Sequence, residues 1–115
     1  MAIENLSEQV LLVTLPKRPQ TSSDINRATH VVTAQEPRHV IIDFSQVEVM
    51  SSSTISELII IENHLHELDR QLVLCSAPRK IRELIKCVGL ESLFRFADNQ
   101  FSALEMLSEY RYLGA

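Results

Sequence analysis

Three short apolar runs, QVLLVTLP at Gln9 to Pro16, RHVIIDF at Arg38 to Phe44 and RQLVLCSA at Arg70 to Ala77, recur along the chain with helical patterns between them. Runs this short, rich in β-branched residues and poor in polar alternation, suit strands buried on both faces. Such strands need cover above and below, and the intervening sequence supplies it. The segment TSSDINRATHVV offers Thr21, Ser22 and Ser23 as N-caps, Asp24 in the first turn, and Ile25, Ala28, Val31 and Val32 at helical spacing. Between the second and third runs, Ile55, Leu58, Ile59, Leu65 and Leu68 recur on one helical face, with Glu57, Asn63, His64 and Glu67 largely off it. After the third run, Pro78 suits the first position of a helix that turns Ile81, Leu84, Ile85 and Val88 inward and stops at Gly89. SLFRFAD reads as a brief edge strand, and NQFSALEMLSEYRYL as a last amphipathic helix presenting Phe101, Leu104, Met106 and Leu107.

The predicted order is β, α, β, α, β, α, β, α. Strands alternating with helices run mostly parallel and are joined by right-handed crossovers. The expectation is an α/β domain: a four- or five-stranded, mostly parallel β-sheet flanked by about four helices. A chain of 115 residues fits a single domain spanning 1–115. Its 45% hydrophobic content supplies a core, while 23% charged residues, two Gly and four Pro argue against disorder.

Composition also narrows the function. A formal charge of -4 gives no basic footprint for nucleic acid, although Lys17, Arg18, Arg79, Lys80 and Arg82 can form a local patch. The opening MAIENLSEQV lacks the basic and apolar regions of a signal peptide, and LIII at Leu58 to Ile61 is far too short to span a bilayer. Cys75 and Cys87 form no C-x-x-C pair. A cytoplasmic protein with reduced thiols is expected. No G-x-G-x-x-G or G-x-x-x-x-G-K-S/T motif offers a nucleotide cradle, and no nucleophile elbow occurs. His64 and His66, two apart on a predicted helix, point about 200° apart and cannot share a metal from one face. No enzyme activity, metal site or cofactor is expected.

One cluster survives this screen. Ser51, Ser52, Ser53 and Thr54 stand in a row where the second apolar run gives way to a helix. Ser or Thr at a helix start accepts bonds from unpaired backbone N–H groups, and Thr54 with Glu57 matches the S/T-x-x-E capping box, so Thr54 or Ser53 is the expected cap. A cap accounts for one or two hydroxyls, not four. A helix N-terminus also stabilises an added phosphate through its free N–H groups and dipole.

The surrounding residues, VIIDFSQVEVMSSSTISELI, resemble the signature of STAS domains of the anti-sigma factor antagonist family. In that family, a strand ending in D-L/F-S-x-V-x-x-M/I is followed by D-S-S-G-L-G and a helix. Asp43, Phe44, Ser45, Val47 and Met50 fall on the expected positions, and the phosphorylatable serine falls on Ser52. Ser53 and Ile55 take the next serine and the leucine. Farther on, QLVLCSAPRKIRELIKCVGLESLFRFADNQFSALEML is similar to the family's second half. The chain departs from the pattern at three places: Ser51 stands for the acidic residue, and Thr54 and Ser56 for the two glycines.

The resemblance implies a regulatory binding module that controls transcription by partner switching. Unmodified, it binds a serine-kinase type anti-sigma factor or related switch kinase; phosphorylated at Ser52, it lets go, and a PP2C-type phosphatase resets it. Ser51, Ser53 and Thr54 are lesser alternatives for the phosphate, and Ser51, Ser52, Ser53, Thr54 and Ser56 form the implied partner surface. The other implied role is a scaffold without a working phosphosite, assembled with other STAS domains in a stressosome-like particle or serving an ABC transporter as its cytosolic subunit.

Overall fold

A computed structural model describes residues 1–20, 24–34 and 36–114, with side chains up to Ser108. The proposed caps Thr21, Ser22 and Ser23 lie outside the described residues. The elements run β1 (Ala2–Asn5), β2 (Val10–Thr14), α1 (Asn26–Ala34), β3 (His39–Asp43), α2 (Ser52–Glu67), β4 (Leu72–Cys75), α3 (Arg79–Cys87), β5 (Arg95–Ala97) and α4 (Gln100–Gly114). They build one five-stranded sheet in the order β1-β2-β3-β4-β5, in which β1 pairs antiparallel with β2 and every other pairing is parallel. The expected α/β fold is therefore present, with a mixed, mostly parallel sheet.

The three apolar runs form the centre, and their side chains alternate between two cores as strand geometry requires. Leu11, Val13, Val40, Ile42, Leu72 and Leu74 face α1, α2 and α3, packing with Ala28, Leu58, Ile61, Leu65, Ile81 and Ile85. Val10, Leu12, Ile41, Val73 and Cys75 face the other way, onto Ala103 and Leu107 of α4. Placing α1, α2 and α3 on one side follows from three successive right-handed crossovers moving in one direction across the sheet. Each of these helices then starts at the carboxyl end of the strand before it, where open α/β sheets gather their functional residues.

Several expectations need correction. β1 was not expected, because AIEN has one partly buried apolar residue, Ile3, and an edge strand bonded on one side needs no more. Val88 is 51% exposed and serves as the C-cap residue of α3, past the turn that faces the core. Phe101 is 70% exposed, since α4 turns Ala103 and Leu107 to the sheet instead. Leu68 also lies at the surface as the C-cap of α2, while Ile61, absent from the expected face, is fully buried.

The helix stop at Gly89 stands as expected. Its φ of 78° lets the Leu90 N–H donate to the Ile85 carbonyl and the Gly89 N–H to Lys86, the paired bonds of a Schellman motif. α2 ends the same way with Asp69 at φ 58°, so Arg70 N–H reaches Leu65 O at 2.8 Å. Among the described residues no helix is long and apolar enough to cross a membrane, and no group of three or more His, Cys, Asp or Glu is placed to hold a metal ion.

Candidate functional site at the start of helix α2

The segment from β3 to α2 is held by its own alternation. Phe44, Val47 and Met50 are buried, whereas Ser45, Gln46, Glu48, Val49 and Ser51 are exposed. Of the residues from Asp43 to Met50 that match the signature motif, Asp43, Phe44, Val47 and Met50 are thus the buried anchors of the loop, and Ser45 alone is exposed. Backbone bonds fix it further: Phe44 N–H donates to Cys75 O at 2.9 Å, Val47 N–H to Phe44 O at 3.0 Å, and Glu48 N–H to Lys17 O at 2.8 Å. The last of these ties the loop to the segment after β2, which brings Lys17 and Arg18 alongside.

Asp43 closes β3 with a buried carboxylate. Its Oδ1 accepts from Ser45 N–H at 2.7 Å and its Oδ2 from Gln100 Nε2 at 2.6 Å, so one side chain clamps the loop's first turn to the start of α4. A buried carboxylate without such donors would be costly, and these bonds explain why an acid is tolerated there. Cys75 lies next to it on β4. Burial, and then the charge of Asp43, push its thiol up to about 11, against a smaller opposing hydrogen bond from Ser76. This cysteine is an inert core residue.

The hydroxyls divide into distinct roles. Ser51 is the N-cap: its backbone is extended, and its Oγ accepts from Thr54 N–H at 3.3 Å and sits 3.3 Å from Thr54 Oγ1. The expectation that Thr54 or Ser53 caps the helix is therefore corrected by three residues or two. Glu57 does not close a capping box; it accepts from Thr29 Oγ1 at 3.0 Å and links α2 to α1. Thr54 is fully buried, so it cannot belong to a partner surface in this conformation.

Ser52 and Ser53 occupy the first two helical positions and are exposed. Among the described residues their hydroxyls make no hydrogen bond. Their backbone N–H groups have no carbonyl one turn back within the helix. Ser56, one turn on and also exposed, donates from Oγ to Ser52 O at 3.2 Å. The site thus brings together Ser51, Ser52, Ser53 and Ser56 at the surface, and Val49, two residues before the cap, is 56% exposed. Lys17 and Arg18 were singled out from the sequence only as possible patch residues; their proximity here depends on a backbone bond that no side-chain pattern announces.

Ser51 also gives a physical meaning to the missing acid. Asp and Ser cap helices about equally well, so the exchange keeps the cap and removes one negative charge from the surface.

Residues 19–103 match the family model for the STAS domain. A Moorella thermoacetica RsbS protein with a serine-to-glutamate substitution superposes with a TM-score of 0.81 at 18% identity, covering 96% of this chain and 97% of that one. An anti-sigma-factor antagonist (STAS) domain protein from Planctomyces limnophilus gives 0.75 at 22% identity, over 90% of this chain and 97% of that one. The anti-sigma factor antagonist SpoIIAA of Bacillus, in its unphosphorylated form, gives 0.73 at 14% identity, over 99% and 96%. At these identities the likeness establishes a common fold. No curated protein matches the sequence.

Proposed function

The chain belongs to the STAS domain family, and from that premise we propose that it is an anti-sigma factor antagonist-like binding module whose association with a partner serine kinase is switched by phosphorylation of Ser52. One observation carries this reading. Ser52 is an exposed hydroxyl without a hydrogen-bond partner among the described residues, placed at the first position of α2, while the structural duty of capping falls on Ser51. Modification of Ser52 would leave the cap in place.

A phosphate there adds about -1.5 to -2 charges and three acceptor oxygens. The unpaired N–H groups of Ser52 and Ser53 and the positive end of the helix dipole favour it, so the domain stays folded when modified. The same charge alters the exposed start of α2 around Ser53 and Ser56, and a partner seated there is repelled or must desolvate the phosphate. The domain is then substrate and ligand, and the chemistry belongs to the kinase and to a PP2C-type phosphatase. Because Ser51 carries no charge, the kinase recognises this face without a carboxylate before the acceptor serine.

The test is the affinity of Ser52→Ala and Ser52→Asp for the partner kinase, measured by calorimetry. Ser52→Ala retains binding, and Ser52→Asp weakens it by about tenfold or more. Equal affinities would show that this position does not gate association.

A further inference from the structure

The outer face of α3 carries charge that its packing does not require. Arg79, Lys80, Arg82 and Lys86 are exposed on this nine-residue helix against one acid, Glu83, in a chain whose formal charge is -4. The inward face is anchored by Ile81 and Ile85, which needs none of these cations. Arg79 and Lys80 stand at the positive end of the helix dipole with no acidic residue in the first turn, whereas Lys86 lies in the last turn, where the dipole favours a cation. Two cations at the unfavourable end of the dipole break a local rule, and a broken local rule points to a use.

Arg79, Arg82 and Lys86, at i, i+3 and i+7, share one stripe of the helix. That stripe walls an open cleft of about 340 Å³, completed by Ala77, Glu83 and Glu91. Two of the cations are held in place: Arg79 Nε bonds Glu83 Oε1 at 3.0 Å, and the Arg82 guanidinium lies 4.8 Å from the centre of the Phe96 ring.

The chemistry of the cleft selects its occupant. Five of its six lining residues are charged, whereas pockets for small molecules are lined mainly by apolar side chains. The stripe from Arg79 to Lys86 is only about 10 Å long, which matches a segment of a few residues and is short for an extended polyanion such as nucleic acid or a membrane surface. A short run of carboxylates fits both the length and the guanidinium geometry. α3 follows α2 in the same layer, and both helices begin at the carboxyl end of the sheet.

We propose that the Arg79, Arg82 and Lys86 cleft is a docking surface for an acidic segment of a partner protein. The proposal does not depend on phosphorylation of Ser52, and it can fail or stand separately from the switch.

The test uses the full chain, isotope-labelled, with a fluorescein-labelled hexaglutamate peptide as probe at about 50 mM salt, where screening is modest. Backbone resonances of Ala77 to Lys86 and of Glu91 shift, and the double variant Arg79→Glu/Lys86→Glu weakens binding by about tenfold or more. The double variant Lys17→Glu/Arg18→Glu changes it less than about twofold. If charge reversal unfolds the chain, Arg79→Gln/Lys86→Gln replaces it, with a loss of about threefold or more. Absence of peptide binding, binding untouched by the α3 variants, or shifts centred on Lys17 and Arg18 would overturn the proposal. So would tighter binding of a single-stranded oligonucleotide or of phosphatidylserine vesicles through the same residues.

Discussion

Replacing Ser51 by Ala tests the division of labour among the hydroxyls at the level of stability. The Ser51 Oγ accepts the Thr54 N–H at 3.3 Å, and loss of an N-cap of this kind costs about 1 kcal/mol. The same oxygen lies 3.3 Å from the hydroxyl of Thr54, which is fully buried, so its removal also strips a partner from a polar group shielded from water. That second effect adds up to about 1 kcal/mol, for a total of roughly 1 to 2 kcal/mol. In a chain of 115 residues this lowers Tm by about 4 to 8 °C. Urea unfolding, with an unchanged slope, reads the same loss as a lower midpoint. Ser51→Asp keeps the cap and gains a favourable interaction with the helix dipole, so it is as stable as the wild type or more so by a few tenths of a kcal/mol. Ser52→Ala and Ser53→Ala, at exposed positions whose hydroxyls are unbonded among the described residues, stay within about 0.5 kcal/mol. A Ser51→Ala loss below about 0.3 kcal/mol, or an equal loss for Ser53→Ala, would refute the assignment of Ser51 as the cap.

Three further outcomes follow from the clamp and the thiol beside it. Asp43→Ala removes the acceptor of Ser45 N–H and Gln100 Nε2 and costs about 2 to 3 kcal/mol, more than Gln100→Ala, in urea unfolding; equal small losses would show that the clamp is not formed. At pH 8 iodoacetamide alkylates the exposed Cys87 and leaves the buried Cys75 unmodified in the native chain; comparable rates would contradict its burial. The thiol of Cys75 titrates near 11 when folded against an ordinary 9.0, so the unfolded chain releases this proton first. Stability therefore falls as pH rises from about 9 to about 11, and the Cys75→Ala variant lacks that component of the slope.

The three β-branched runs made the centre of the fold legible, because a strand buried on both faces leaves a short apolar run, and turn residues flank each of these while LIII at Leu58 to Ile61 continues a helical pattern. β1 leaves no such mark: Ile3 alone turns partly inward, and its pairing is set by the backbone of β2. Helical periodicity located α3 and α4 but could not say where each helix turns from core to cap, which is why Val88 and Phe101 were placed inward and stand outside. The site shows the same boundary. Four hydroxyls were visible as a cluster, yet the identity of the cap depends on where the helix begins, and a shift of three residues moves that duty from Thr54 to Ser51. The buried Asp43 was legible only as a motif position, since its partner Gln100 lies 57 residues away.

The most direct test of the proposed switch is to incubate the chain with ATP and a candidate partner serine kinase, then map the product by fragment mass spectrometry. The account predicts one phosphate, on Ser52, with none on Ser51, Ser53 or Thr54, and no phosphate on the Ser52→Ala variant. An unmodified chain, or a phosphate carried elsewhere, would contradict it.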